Sequence, residues 1–237
     1  MFSAREYGVM LDLETLGVDD DALITQIGAV VFDLKTGETF QKFNQNLDFI
    51  KTDAEFLNLY NYCLDIRKMS NSERLSNLDC IIEDIVENKC KNLCEKFKIE
   101  KGTLNFWLNS NSKLDILLEH LETKNNIDEY ELMSQFSEFL INSSNELSAD
   151  LKIWGNGISF DIVKIKRKLD KHGIEYPILY YNERDVRTIL ELASLKANKS
   201  IFDIKKSVTK NNRPHDAFED CIFQINYCHK CFEILMS

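Results

Sequence analysis

Residues 8–14, Gly-Val-Met-Leu-Asp-Leu-Glu, form an apolar stretch that two carboxylates, Asp12 and Glu14, interrupt. In a β-strand, side chains two residues apart point to the same face, so both carboxylates project side by side from a segment that otherwise suits a core. Like charges this close cost free energy unless a cation lies between them. The stretch therefore predicts a strand with a divalent-cation site. The alternative is that one acid caps a following turn and the other is solvated.

The sequence around this strand predicts an α/β fold. Residues 24–33 (ITQIGAVVFD) and 39–47 (TFQKFNQNL) have strand patterns and are joined by a hairpin turn at 36–38. The second half then alternates strands with helices. Its predicted strands are 151–154 and 178–181, and its predicted helices are 161–172, about 185–197 and 214 to the C-terminus. This order indicates a mixed sheet covered by helices.

The segment from about residue 50 to residue 100 is polar, has helical apolar spacing and contains neither glycine nor proline. We expect a helical insertion within one domain that spans residues 1–237. Three uses of the insertion stay open: a homodimer surface, a substrate clamp or a decoration specific to one lineage.

The overall composition excludes several classes of protein. Apolar residues make up 44% and charged residues 29% of the chain, as in ordinary globular proteins. No apolar run reaches the ~18 residues of a transmembrane helix, and the first residues lack a signal-peptide pattern. We therefore expect a cytoplasmic protein without a membrane partner. The net charge of −10 argues against a broad nucleic-acid-binding surface.

The seven cysteines show no disulfide rhythm, and we expect reduced thiols. Cys228 and Cys231 have the CxxC spacing of a zinc site, which Cys90 and Cys94 would complete. The helical spacing of Cys221 and Cys228 within an apolar stripe instead favours a core-facing helix.

Two further motifs carry carboxylates beside predicted helix starts. Asp161 follows a strand and a glycine break, where ligand crevices of α/β sheets form, although an acid here is commonly a helix cap. Asp216 and Glu219 have the spacing of a capping box. This would place His215 just outside the last helix and Asp220 about one turn inside it, so an imidazole and a carboxylate could face one opening.

Taken in order, these motifs resemble those of the DEDDh branch of the DnaQ-like 3′–5′ exonuclease superfamily. They are Leu11-Asp12-Leu13-Glu14-Thr15-Leu16-Gly17, Asn156-Gly157-Ile158-Ser159-Phe160-Asp161 and His215-Asp216-Ala217-Phe218-Glu219-Asp220. Residues 181–188 and 103–109 also resemble the phage exodeoxyribonuclease A subgroup and its mycobacterial exoribonuclease-like relatives. The resemblance implies an RNase H-like fold, with a mixed five-stranded sheet flanked by helices, and leaves residues 50–100 unmatched.

The resemblance implies a 3′–5′ exonuclease with two divalent cations, Mg²⁺ or Mn²⁺, since oxygen ligands suit these ions. The metal ligands would be Asp12, Glu14, Asp161 and Asp220. His215 would be the general base, and its usual pKa near 6.5 suits that role. The substrate would be the 3′ end of single-stranded DNA or RNA, or a 3′ overhang, with DNA slightly preferred, and the products would be nucleoside 5′-monophosphates.

Substrate contacts are expected on both sides of the metals. Relatives hold the terminal nucleotide against the positions of Thr15, Leu16 and Gly17, through backbone groups and an apolar side chain. Phe160 suits either a base-pocket wall or the core. Basic residues of 161–172 and of 205–213, including Lys210 and Arg213, suit a phosphate track or a solvated surface.

Three other residues near these motifs have two interpretations each. Trp107 would stack on a base or lie in the core. Asp185 would cap a helix or join the site. Arg187, like Arg184, would bind phosphates or pair with nearby glutamates.

Competing functions are an exoribonuclease, a catalytically silent nucleic-acid-binding module and a metal-dependent phosphatase or nucleotidase. The intact acids and His215 argue against the silent module, and the placement of His215 and Asp220 argues against the phosphatase. The acidic net charge favours local capture of a single-stranded 3′ end over a broad duplex-binding face.

Overall fold

A computed structural model describes residues 6–209 and 213–237. The strands are β1 (Tyr7–Thr15), β2 (Ile24–Asp33), β3 (Thr39–Asn46), β4 (Lys152–Gly155) and β5 (Glu183–Asp185). They form one mixed sheet in the order β3-β2-β1-β4-β5, in which β1, β4 and β5 are parallel neighbours. The predicted α/β class, with a mixed five-stranded sheet flanked by helices as in RNase H-like folds, is confirmed.

Helices make up most of the rest of the described chain. The first seven are α1 (Phe49–Thr52), α2 (Phe56–Lys68), α3 (Asn71–Ser76), α4 (Leu78–Asp84), α5 (Lys91–Phe97), α6 (Lys101–Leu108) and α7 (Asn111–Leu121). The others are α8 (Glu129–Leu147), α9 (Ile158–Lys171), α10 (Val186–Ala197), α11 (Ile201–Lys206) and α12 (Ala217–Met236). Within residues 6–209 and 213–237, no helix combines the length and the apolar character needed to cross a bilayer.

The predicted strand at 178–181 is wrong. Tyr180–Asn182 form a turn of 3₁₀-helix, and the strand starts at Glu183. The aromatic residues that suggested a strand are exposed, with 80% of Tyr180 and 57% of Tyr181 accessible to solvent. Because β4 pairs Ile153 with Glu183, the sheet takes up the chain only after these tyrosines.

The chain forms two compact units. The first contains the described residues within Met1–Leu13, Ile27–Asn44 and Met133–Ser237. Its core gathers apolar side chains from β1, β2, β4, α10 and α12, and the thiols of α12 lie among them, as the predicted apolar stripe requires. Buried members are Met10, Val30, Phe32, Trp154, Val186, Leu190, Cys221, Ile225, Cys228 and Cys231. Burial raises the pKa of these three thiols, so they are protonated core groups.

The second unit contains Glu14–Gln26 and Gln45–Leu132. It therefore holds the end of β1, the loop after it and helices α1 to α7. Its core includes a cluster of aromatic rings: the Phe56 ring lies 4.8 Å from Phe49 and 5.0 Å from Phe97, measured between centroids. The predicted helical character of residues 50–100 is thus observed, as short helices around a core of their own.

Candidate active site

The carboxyl ends of the parallel strands bring the predicted motifs to one edge of the sheet. The register aligns Leu11 of β1 with Gly155 of β4, and Gly155 with Asp185 of β5. Asp12 is the next residue along β1. Ligand crevices of α/β sheets form at this edge, so the sheet itself explains why these distant sequence motifs converge.

Asp12 is held by a residue of α12. The Gln224 side chain donates from Nε2 to the Asp12 carboxylate over 2.8 Å. Gln224 is only 4% exposed, and its Oε1 accepts no hydrogen bond within the described part of the chain. A buried amide with this single strong interaction fixes the carboxylate, because hydrogen bonds to charged groups are stronger and more directional than neutral ones.

The remaining predicted site residues lie at the end of β1 and at the start of α12. Glu14 continues β1 two residues beyond Asp12 and is 8% exposed. His215 and Asp220 are half-buried, and both belong to the first unit. Carboxylates and an imidazole are donors that can hold a divalent cation.

The backbone of His215 has a left-handed conformation, with φ of +68°. Such a conformation is costly for a residue with a side chain and concentrates at functional sites. The His215 amide donates to the Asp220 carboxylate over 3.1 Å, which holds the two residues together. The predicted start of the last helix is confirmed, because Asp216 is the N-cap and accepts a hydrogen bond from the Glu219 amide.

The start of α12 packs directly on β2 at a glycine. A Cβ atom on Gly28 would lie 2.3 Å from the carbonyl carbon of Ala217. Cys221, one turn further, reaches the carbonyl oxygens of Gly28 at 3.2 Å and Met10 at 3.5 Å. Small residues at positions 28 and 217 thus set how closely the helix that carries Asp220 approaches the sheet.

Asp161 lies in the first turn of α9 and is 5% exposed. Gly155 leaves room for its carboxylate, since a Cβ there would lie 3.3 Å from Oδ2. Burial raises the pKa of Asp161 well above its usual range, although the Arg187 and Lys164 charges oppose this. A buried carboxylate of this kind gains much from a bound cation, which would keep it ionised.

Asp185 joins the starts of two helices. Its carboxylate accepts from the Arg187 amide at 2.7 Å and from the Ile158 amide at 3.0 Å. It is therefore a helix cap, and the same carboxylate also ties α10 to the start of α9. This arrangement fixes the turn that carries Asp161.

The aromatic and basic residues near Asp161 divide into buried and exposed sets. Phe160 is 37% exposed, and Lys164 Nζ lies 4.3 Å from its ring centroid. Lys164 and Lys168 are buried, so they do not contribute to an exposed phosphate track. Arg213 is exposed and lies 3.8 Å from Asp216. Lys210 falls outside the described residues.

The loop after β1 is held by the second unit. Trp107 is 1% exposed and donates from Nε1 to the Thr15 carbonyl over 3.1 Å, so it lies in the core, and its ring is not available for stacking. The Thr15 hydroxyl donates to the Gly17 carbonyl over 2.9 Å. A Cβ on Gly17 would lie 2.2 Å from the carbonyl oxygen of Lys98, so this position accepts only glycine without movement.

Glu100 clamps the same loop from the start of α6. Its carboxylate accepts from the amides of Val18 at 3.2 Å and Asp19 at 2.9 Å, and its own amide donates to the Leu16 carbonyl at 3.0 Å. The Leu16 side chain is fully buried, whereas Val18 is 64% exposed. The exposed apolar side chain of this loop is therefore Val18, two residues after the predicted contact at Leu16.

Sequence reasoning missed three residues that shape this site. Gln224 lies four residues after Asp220, on the same helix face, so a polar residue within an apolar stripe was an available signal. Gly28 and Glu100 act through long-range contacts that no local pattern indicates.

The chain matches a known protein family over most of its length. Residues 7–232 match the family described as the 3′–5′ exoribonuclease Rv2179c-like domain. A comparison with curated proteins gives no match. Nucleases of this kind act on nucleic acid and generally use divalent metals. The chain thus belongs to the Rv2179c-like 3′–5′ exoribonuclease domain family and is a 3′–5′ exonuclease.

Proposed function

We propose that the chain is a DEDDh-type exonuclease of the DnaQ-like superfamily that shortens single-stranded RNA from its 3′ end and releases nucleoside 5′-monophosphates. The hydrogen bond from Gln224 of α12 to Asp12 carries this proposal, because it brings the first motif to the helix whose start holds His215 and Asp220. Family membership favours RNA. Single-stranded DNA, favoured by the resemblance to the phage subgroup, is the second candidate substrate.

The donor set fits a divalent cation of the Mg²⁺ or Mn²⁺ class. Asp12, Glu14, Asp161 and Asp220 offer hard oxygen ligands, and Asp161 is 5% exposed, where a bound cation would keep its carboxylate ionised. These four residues would hold two such ions. When bound, divalent cations in this kind of site lower the pKa of water and stabilise the charge of the phosphodiester.

His215 is the proposed general base. It lies just before α12 and is half-buried. A ring nitrogen accepts the proton of the attacking water, and the neighbouring carboxylates stabilise the imidazolium that results. The left-handed conformation and the hydrogen bond from the His215 amide to Asp220 fix the backbone that carries the ring.

The proposed substrate contacts surround this centre. The backbone of Thr15, Leu16 and Gly17 lies against the terminal nucleotide, Phe160 forms part of the base pocket, and Lys210 and Arg213 bind the strand. We further propose that residues 1–237 act as one exonuclease domain in the cytoplasm. Self-association into a homodimer is a separate proposal, and sedimentation velocity measures it directly.

The test compares RNA and DNA oligonucleotides of identical sequence, labelled at the 5′ end and incubated with Mg²⁺ or Mn²⁺. We expect a ladder of 3′-shortened products, formed faster from RNA, and lost in Asp12→Ala. Asp65→Ala is the matched control, because Asp65 is an exposed partner of Lys68 in α2.

Each result has a definite meaning. A faster DNA ladder would reverse the substrate preference. Binding of both polymers without degradation of either would support the silent module and refute the enzyme. A ladder that persists in Asp12→Ala would refute the assignment of the site.

A further inference from the structure

The Arg187 guanidinium lies directly over the backbone of Gly157. A Cβ on Gly157 would come within 2.8 Å of its Nη2 and 2.9 Å of its Cζ, and Gly157 has φ of +112°. Glycine at this position therefore makes space for the guanidinium. Gly157 is the N-cap of α9, whose first turn carries Asp161.

The position of Arg187 is fixed from the other side as well. Its backbone amide donates to Asp185, whose second carboxylate oxygen accepts from the amide of Ile158. The backbone that carries the guanidinium is therefore fixed beside the first turn of α9. A side chain on a fixed backbone loses less entropy when it binds a ligand than one on a mobile loop.

The Arg187 guanidinium is open to solvent and its charge acts on the buried Asp161 carboxylate. Across residues 6–209 and 213–237, the side chain of Arg187 makes neither a hydrogen bond nor an ion pair, and it is exposed to solvent. A second cation, Lys205 of α11, lies near enough for the Arg187 charge to lower its pKa, after the larger effect of burial. The Arg187 charge also acts on the buried Asp161 carboxylate. Two neighbouring cations give this part of the first unit a local positive charge that attracts anions.

The chemistry of a guanidinium selects the anion. Its planar fork matches two oxygens of a phosphate, and this geometry is used throughout nucleic-acid recognition. Every nucleotide of the substrate strand supplies such a phosphate. We propose that Arg187 is a substrate-binding residue that binds a phosphate of the nucleic-acid strand beside Asp161. This inference rests on the proposed function.

Arg184 provides a matched control three residues earlier. Its Nη1 donates to the carbonyl oxygens of Tyr181 at 2.6 Å and Glu183 at 2.9 Å, so this guanidinium is used within the protein. Arg187→Gln and Arg184→Gln change the net charge equally. A nonspecific charge effect would weaken RNA binding in both variants, whereas loss of a phosphate contact would weaken it in Arg187→Gln alone.

The experiment measures kcat and KM on a 5′-labelled single-stranded RNA with Mg²⁺ at several KCl concentrations. In Arg187→Gln we expect KM to rise about 10- to 100-fold, because a hydrogen-bonded ion pair is lost. We also expect the slope of log(kcat/KM) against log[KCl] to fall by about 1. Arg187→Lys should restore part of the affinity, and Arg184→Gln should stay within about twofold of the wild type.

An unchanged KM and salt slope in Arg187→Gln, or equal changes in both glutamine variants, would overturn the proposal. Melting temperatures of all three variants separate loss of binding from loss of fold. If the wild type degrades no RNA, the proposed function fails. In that case, fluorescence anisotropy measures the affinity of wild type and Arg187→Gln for the same labelled RNA in EDTA. Equal affinities would refute the role of Arg187 in binding.

Discussion

Replacement of Gly28 by alanine tests whether the approach of α12 to β2 positions the active site. The added Cβ would lie 2.3 Å from the carbonyl carbon and 2.4 Å from the carbonyl oxygen of Ala217. To reach 3.4 Å, where ordinary contact begins, the carbon pair at 2.3 Å must separate by about 1.1 Å. Both partners are backbone, so no side-chain rotation relieves the clash.

The expected magnitudes follow from this displacement. Alanine in a strand normally gains roughly 0.5–1 kcal/mol over glycine. Overpacking costs about 1–3 kcal/mol, so the net change in the free energy of unfolding should be destabilising. The larger effect falls on catalysis. His215 and Asp220, the proposed general base and metal ligand, flank the point of contact, and a shift of ~1 Å in catalytic groups costs about 100-fold in rate.

The assay pairs kcat on labelled RNA with the melting temperature. Gly102→Ala is the matched control, since nothing lies within 4 Å of a Cβ there. We expect full activity in this control and a loss of about 100-fold in Gly28→Ala that exceeds its loss of stability. Wild-type kcat in a folded Gly28→Ala protein would refute the view that this contact sets the site.

Three other predictions concern residues that support the site or report on the core. Gln224→Met removes the hydrogen bond to Asp12 and should weaken Mn²⁺ binding about 10-fold in an EPR titration, and an unchanged affinity would contradict this role. Glu100→Ala removes the acceptor of the Val18 and Asp19 amides and should raise KM about fivefold, which corresponds to about 1 kcal/mol. Glu100→Gln keeps one acceptor oxygen and should retain most of the affinity. Equal KM values for the two variants would argue against the clamp. Six cysteines are buried, and burial raises the pKa of Cys63 and Cys94 to about 12. Ellman's reagent at pH 8 should therefore modify one thiol rapidly, that of the exposed Cys80. Rapid modification of the folded Cys80→Ser protein would disprove this.

Much of the fold was predictable because its strands and helices are strongly patterned. The ten residues of β2 coincide with the predicted strand, and Asp216 begins the last helix as its capping signal indicates. The failure at 178–181 has a physical cause. Tyrosines favour strands locally, yet pairing with β4 takes up only the residues from Glu183 onward.

The site was predictable to the extent that its chemistry lies in short motifs. Spacing placed Asp12 and Glu14 on one strand and set His215 beside the start of a helix. The contacts of Gln224, Gly28 and Glu100 join segments about 80 to 210 residues apart, and such pairings depend on tertiary packing that no local pattern encodes.

The division of the chain into two units has a consequence for how the enzyme would fail on heating. Glu14 and the loop after β1 belong to the unit formed by helices α1 to α7. If those helices open locally, the loop after β1 loses the Trp107 and Glu100 contacts that hold it. Activity would then report the local stability of the helices. Hydrogen exchange in α5 and α6 should therefore follow heat inactivation more closely than exchange in β4.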